Sequence, residues 1–191
     1  WQFSREDRLQ WTEGQGISVP VMKDLFSRGE NPEYLFWVGS AGAFDDRYKN
    51  VSRSMIKILN HLKVSYAVLG IEETSTADAA RRTGNEMLYQ MQAIMIIDLL
   101  KNYKVRKILT CDPHAYNTFR NEYPDLGGDF EVVHPGDMLE SASNRLQACG
   151  CHIFPVVQDE RLVGLLSMEN IGEFLMIQSA MGQNKLHQST R

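Results

Sequence analysis

Short apolar runs alternate with longer amphipathic segments along the first 134 residues of the chain. Runs of four to six mostly apolar residues, bounded by glycine, proline or charged residues, are typical of buried strands. The runs predicted to be strands are Tyr34–Val38, Val64–Leu69, Val105–Thr110 and Phe130–Val133. Because these strands alternate with helical patterns, the sequence predicts an α/β fold with a parallel, Rossmann-like sheet and flanking helices.

The segments between these strands have apolar residues spaced for helices. Val51–Leu62 is predicted to be one helix, Ala115–Glu122 a short one, and Ala79–Tyr103 a long continuous one. The residues that favour the start of the long helix as N-caps are Ser75, Thr76 and Asp78. The residues predicted to form its buried side are Met87, Met91, Ile94, Met95, Ile97 and Leu100. A charge introduced at Ile94 is therefore expected to unfold this part of the chain.

After residue 134 the pattern changes. An amphipathic helix over Met138–Cys149 is predicted to precede two strands, His152–Val157 and Leu162–Leu166, and a helix over Met168–Met181 follows them. The predicted helix followed by F-P-V-V (Phe154–Val157) and by R-L-V-G-L-L-S-x-x-N (Arg161–Asn170) resembles one cystathionine-β-synthase (CBS) repeat of the kind appended to site-2 proteases, although no protease zinc motif accompanies it. The predicted domains are an α/β domain over 1–134 with an N-terminal arm over 1–30, a small CBS-like β-α unit over 135–183, and a polar tail over 184–191.

The CBS resemblance implies one candidate ligand site. The nucleotide-binding turn of that family has a hydroxyl residue followed three positions later by an acid, and Ser167 and Asn170 hold these positions here. Asn170 lacks the charge that pairs well with ribose hydroxyls, and one repeat supplies only half of a nucleotide cleft. A packing or self-association module is therefore the favoured interpretation, and a sensor of adenine nucleotide is the alternative.

Composition and charge exclude several classes of function. The net charge of −4 over 191 residues gives no basic surface for nucleic acid or for an anionic membrane. The longest apolar run, Ala93–Ile97, is too short to span a bilayer. Three cysteines, an odd number, favour reduced thiols and a cytoplasmic protein over a disulfide framework. Cys149 and Cys151 have no second ligand pair nearby and are predicted to be small core residues.

Three polar segments come at the ends of the first three predicted strands. They are WVGSAGAFDDRYK (Trp37–Lys49), GIEETSTADAARRTGNE (Gly70–Glu86) and ILTCDPHAYNTFRNEYP (Ile108–Pro124). Loops that follow the carboxyl ends of parallel strands meet at one edge of the sheet, so we expect these segments to converge. Together they resemble the cysteine-rich CCG domain of the heterodisulfide reductase and glycolate oxidase iron–sulfur family.

The positions that hold cluster cysteines in that family are occupied here by Ser40, Ser75, Asp112 and Ala115. Iron–sulfur clusters need thiolate ligands, whereas hydroxyl and carboxylate oxygens are hard donors and alanine has no donor. The resemblance implies an iron–sulfur cluster for the family, but these residues predict no cluster, no metal and no other cofactor in this chain. Because the surrounding motif is retained, losing the ligands alone fits a redesigned or chimeric sequence, or a paralogue that kept the fold.

Charged residues in the same loops are further candidates for a site. They are Asp45, Asp46, Arg47, Asp78, Arg81, Arg82 and Glu86. We interpret them as helix caps and loop ion pairs rather than as catalytic groups. The family resemblance would instead have them position the cluster loops or an electron-transfer partner.

The third loop also contains Cys111 and His114, which together could form a nucleophile or, with Asp112, bind zinc. Close neighbours in one loop seldom aim at a common point, so a histidine with a local structural role is favoured. The hydroxyl-rich loops Thr74–Thr76 and Gly39–Gly42 would suit a phosphate or carboxylate at a helix start.

The function predicted from these observations is that of a cluster-free relative of an iron–sulfur redox subunit, natural or redesigned. It would act without catalysis of its own, as a scaffold or binding module for a protein partner or a second copy. One alternative is an electron-transfer subunit of a heterodisulfide-reductase-like oxidoreductase with its cluster disabled in this sequence. The other is a regulatory module that responds to adenine nucleotide through the CBS-like unit.

Overall fold

The computed structural model describes residues 6–14, 16–137, 153–158, 161–167, 169 and 171–172. The chain divides into two compact units, Trp1–His134 and Pro135–Arg191. The described part of the second unit contains an antiparallel pair of strands, with Ile153 opposite Ser167 at one end. In the described part of the chain, no helix has the length and apolar character needed to cross a bilayer.

A four-stranded parallel sheet forms the centre of the first unit, which confirms the predicted α/β class. Its strands are β1 (Tyr34–Trp37), β2 (Tyr66–Ala67), β3 (Lys107–Thr110) and β4 (Glu131–Val133). They lie in the order β2–β1–β3–β4, and every neighbouring pair is parallel. The central position of β1 and β3 brings the loops that follow them side by side.

Helices cover both faces of this sheet. They are α1 (Met22–Ser27), α2 (Gly39–Phe44), α3 (Tyr48–His61), α4 (Asp78–Arg82), α5 (Glu86–Asn102) and α6 (Pro113–Asn117). Segments of 3-10 helix cover Glu6–Thr12, Gly70–Glu72 and Tyr123–Leu126, and a π-helical turn covers Thr118–Glu122. In the second unit the strands are β5 (Ile153–Gln158) and β6 (Arg161–Ser167).

The alternation of side chains along β1 divides the core into two layers. Leu35 and Trp37 contribute to a cluster that contains the inner side of α5, whereas Phe36 and Val38 contribute to a cluster with α3. Trp11, from the N-terminal 3-10 segment, is fully buried in the second cluster. The N-terminal arm is thus part of the fold of the first unit.

The predicted long helix is two helices, so that prediction was wrong. A break at residues 83–85 separates α4 from α5; Gly84 adopts φ +83°, which an L side chain rarely tolerates. Asn85 then caps α5, and its side chain accepts a hydrogen bond from Leu88 N at 3.2 Å. None of the predicted N-cap residues caps α4, whose N-cap is Ala77 at φ +63° without a side-chain bond. Ser75 instead accepts a hydrogen bond from Ala77 N.

The predicted buried side of this helix was also largely wrong. The exposed side chains include Met87 (72%), Met91 (59%), Ile94 (47%) and Met95 (66%). The buried residues of α5 are Tyr89, Ala93, Ile96, Ile97 and Leu100. Because α5 carries apolar residues on nearly all sides, two different faces satisfy the helical spacing. An aspartate at Ile94 would stay in contact with solvent, so the expectation that it unfolds the chain is withdrawn.

Several predictions for the second unit lie outside the described residues. They concern the helix Met138–Cys149, Cys149, Cys151, Asn170 and most of the helix Met168–Met181. The predicted strands His152–Val157 and Leu162–Leu166 correspond to β5 and β6. Ser167, the hydroxyl residue of the predicted nucleotide turn, ends β6 and is partly buried.

Candidate functional site

The loops after β1, β2 and β3 line one cavity of about 560 Å³ at the carboxyl edge of the sheet. Ser40 lies at the start of α2, Ser75 in the loop before α4, and Asp112 at the N-cap of α6, and all three line this cavity. Ala115 does not share their environment, because it is fully buried in the apolar core. The structure therefore brings together three of the four positions that the sequence resemblance predicts to be former cluster-ligand positions.

Asp112 joins the first and third loops. One of its carboxylate oxygens, Oδ1, accepts hydrogen bonds from His114 N at 2.9 Å and from Ala115 N at 3.3 Å, which caps α6. The other oxygen packs against Gly39, where a β-carbon would lie only 2.4 Å away. Gly39 also has φ +76°, so glycine is required there for two reasons.

Asp78 joins the second and third loops. Its Oδ1 accepts a hydrogen bond from Nε of Arg82 at 2.7 Å, and its Oδ2 lies 3.0 Å from Nδ1 of His114. The hydrogen bond with Asp78 raises the pKa of Arg82. Behind this cluster, Nη1 of Arg81 lies 3.2 Å from Oε2 of Glu122, and its guanidinium stacks over the ring of Tyr89.

Sequence reasoning missed a buried ion pair at the back of the site. Glu73, which is 2% exposed, accepts hydrogen bonds from Arg8 Nη1 at 2.9 Å, Val38 N at 3.0 Å and Gly39 N at 2.9 Å. The other terminal nitrogen of Arg8 donates to Ser40 Oγ at 3.1 Å. Burial raises the pKa of Glu73 to about 7, against the charge of Arg8 and the two backbone donors.

The sequence signal for this pair was weak. Glu73 is one of two adjacent glutamates in the second motif segment, and nothing in the polar N-terminal arm marks Arg8 as its partner 65 residues away. Their pairing follows from the way the Glu6–Thr12 segment packs beside the sheet through Trp11.

The remaining charged candidates lie at the first loop and on α5. Asp45 Oδ1 accepts hydrogen bonds from Arg47 N and Tyr48 N, each at 3.0 Å, and so caps the start of α3. The exposed Asp46 pairs with Lys49 at 3.1 Å. Glu86 accepts a hydrogen bond from Gln90 one turn along α5. These contacts hold loops and helix ends in place.

Cys111 packs against the core cluster that contains α3, on the other face of the sheet from α5. It packs with the apolar cluster that contains Leu109 and Val133. Burial raises the pKa of its thiol to about 11, so it is protonated at neutral pH. His114 is directed to Asp78, which leaves no Cys–His pair for nucleophilic chemistry in this loop.

The fold and the site define a Rossmann-like domain in which three motif loops surround a cavity. Its homologues include proteins named as an iron–sulfur-binding oxidoreductase, a quinone oxidoreductase and a ferredoxin. The chain is 44% identical over 140 residues to the probable iron-sulfur-binding oxidoreductase FadF of Bacillus subtilis, covering 73% of this chain and 20% of the relative. It is 40% identical over 139 residues to the EtfAB:quinone oxidoreductase of Syntrophomonas wolfei, covering 73% and 19%. A probable membrane-anchored ferredoxin of Chromohalobacter salexigens is 40% identical over 137 residues, covering 69% and 19%.

The chain spans about a fifth of the length of these curated relatives. A match of 140 residues is much longer than the second unit, so it must extend through most of the first unit, which contains the cavity. No protein-family model matches the chain, and no solved structure matches it significantly.

The residues present do not fit an iron–sulfur cluster. At the predicted ligand positions the cavity offers the hydroxyls of Ser40 and Ser75 and the carboxylate of Asp112, all hard donors, while soft thiolates hold such clusters. Ser40 already accepts a hydrogen bond from the cation of Arg8, and Asp112 already caps α6. Within the described residues, no group of three His, Cys, Asp or Glu side chains could hold a metal ion.

Proposed function

We propose that this chain is a cluster-free counterpart of the cluster-holding part of an iron–sulfur oxidoreductase, and that it serves as a scaffold or binding module for a protein partner. The observation that carries the proposal is the donor set of the cavity. Ser40, Ser75 and Asp112 offer only oxygens, and Ala115 offers no donor at all. In this role the chain would have no redox chemistry of its own.

The contacts between the loops support a structural role. In the absence of thiolates, Asp112 packs against Gly39, Asp78 connects Arg82 with His114, and the Arg8–Glu73 pair connects the N-terminal arm to the first and second loops. Except for Asp78–Arg82 within α4, these contacts join segments that are distant in sequence. The loops are therefore held together by hydrogen bonds and ion pairs that need no metal.

A second candidate is an electron-transfer subunit whose cluster is disabled in this sequence alone. The identity of 40–44% to proteins named as iron–sulfur oxidoreductase, quinone oxidoreductase and ferredoxin favours it. Both candidate functions require the same arrangement of the loops. They differ in whether the loops still take part in electron transfer with a redox centre.

Restoring the four cysteines tests the proposal. A quadruple variant with Ser40→Cys, Ser75→Cys, Asp112→Cys and Ala115→Cys should take up iron and sulfide on anaerobic reconstitution, because three of these positions line one cavity and Ala115 lies only three residues after Asp112, on α6. Any single restoration should not, because one thiolate cannot hold a cluster. The unaltered protein should stay free of iron, with a melting temperature that a chelator does not change.

Two results would contradict the proposal. Stoichiometric iron and sulfide in the unaltered protein would show that oxygen donors or other residues hold a cluster. A quadruple variant that folds but binds no iron would show that these positions do not form a cluster site.

A further inference from the structure

One wall of the cavity carries an arginine and a histidine that are both fixed on a single carboxylate. Asp78, whose side chain is 12% exposed, engages Nε of Arg82 through one oxygen and Nδ1 of His114 through the other. Both Arg82 and His114 line the cavity, and their side chains are 46% and 66% exposed. Because both are anchored on the same carboxylate, they lie close together and are oriented before any ligand arrives.

The nitrogens directed away from Asp78 are the donors that remain. They are the terminal nitrogens of Arg82 and, when the imidazole carries both protons, Nε2 of His114; within the described residues no other protein group is hydrogen-bonded to these nitrogens. The free edge of a guanidinium presents N–H donors that match the two oxygens of a carboxylate, and a protonated imidazole beside it adds one more donor. The acidic side chains of the same cavity are already engaged, because Asp78 binds Arg82 and His114 and Asp112 caps α6.

The rest of the cavity is largely apolar. Ala41, Tyr48 and Pro113 supply exposed apolar surface, and Trp37 contributes to the lining from the core. A volume of about 560 Å³ is in the range of small-molecule sites. The carboxylates of Asp78 and Asp112 also line the cavity, and they repel a dianion such as phosphate more strongly than a singly charged acid.

We propose that this cavity binds a small organic acid, with its carboxylate on Arg82 and His114 and its apolar body against Ala41, Tyr48 and Pro113. The inference rests on the proposed function, since a cluster would occupy the same loops. The inference adds to the proposed scaffold a binding site for small organic acids, which a purely structural role would not require.

Titration with benzoate, followed by NMR shifts or calorimetry, tests this site in protein whose iron content has been measured first. Benzamide has the same shape without the charge and should bind about tenfold more weakly or worse. Arg82→Gln should weaken benzoate binding by about tenfold, and His114→Gln should weaken it by several-fold. The matched control is Arg28→Gln, because Arg28 forms a similar ion pair through Nε with Glu30, at 2.8 Å, outside the cavity. It should leave binding unchanged.

Several outcomes would overturn the site. They are equal binding of benzoate and benzamide, no effect of Arg82→Gln in a variant with an unaltered melting temperature, and inorganic phosphate binding as tightly as benzoate. Failure of benzoate to bind iron-free protein would refute this inference alone. Iron found in the protein before titration would instead refute the proposed function.

Discussion

Replacing Arg8 with methionine removes a buried cation while keeping a side chain of similar length. In the native structure Arg8 and Glu73 are 9% and 2% exposed, and their contact at 2.9 Å accompanies two backbone hydrogen bonds to the carboxylate. Without Arg8 the carboxylate keeps only those two donors. Removing one partner of a buried ion pair costs about 3–5 kcal/mol. We expect the lower end of this range at pH 8 and a smaller loss at pH 6.

The smaller loss at pH 6 follows from the carboxyl group itself. Burial already raises the pKa of Glu73 to about 7, so protonation at pH 6 removes the charge that would otherwise stay unpaired. A double-mutant cycle with Glu73→Gln isolates the interaction. The double variant should lose less stability than the sum of the two single variants, by about 2 kcal/mol at pH 8.

Urea denaturation followed by tryptophan fluorescence is the appropriate assay. All three tryptophans, Trp1, Trp11 and Trp37, belong to the first unit, so the signal reports that unit. The control Arg28→Met removes an exposed ion pair with Glu30 and should cost at most about 1 kcal/mol. The reasoning would be refuted if Arg8→Met were as mild as this control, or if the Arg8 and Glu73 effects were additive.

Two further predictions concern stability. Ile97 is 2% exposed, so Ile97→Ala should lower the free energy of unfolding by about 3 kcal/mol. Ile94 is 47% exposed, so Ile94→Ala should lower it by about 1 kcal/mol or less. Similar losses for the two variants in urea denaturation would mean that the buried face of α5 is misassigned. Glu73 has a pKa of about 7 in the folded state, against an ordinary value of 4.5. Its protonated form therefore stabilises the fold by about 3 kcal/mol. This contribution is fully present below pH 4.5 and is lost as the pH rises through 7. Glu73→Gln should remove that part of the pH dependence, and an unchanged pH profile would contradict the assignment.

The sequence was sufficient to predict the sheet and the meeting of its loops. The strand order places β1 beside β3, so Gly39 packs against Asp112, and Ser40 and Asp112 line the same cavity, as expected for parallel strands. The apolar runs predict the strands and the glycine-containing turns predict their ends, and both signals lie within short stretches of the sequence.

Other features depend on information that local patterns do not contain. The break before α5 had a signal in Gly84-Asn85, but the strong helix formers on both sides outweighed it. The buried face of α5 depends on which of two apolar stripes meets the sheet. The Arg8–Glu73 pair joins residues 65 positions apart and follows only from tertiary packing.

The most direct test of the central claim is the iron and acid-labile sulfide content of the unaltered protein, purified and reconstituted under anaerobic conditions, together with its visible absorption spectrum. The donor set of Ser40, Ser75, Asp112 and Ala115 predicts a colourless protein without bound iron or sulfide. A brown protein with stoichiometric iron and sulfide would contradict it.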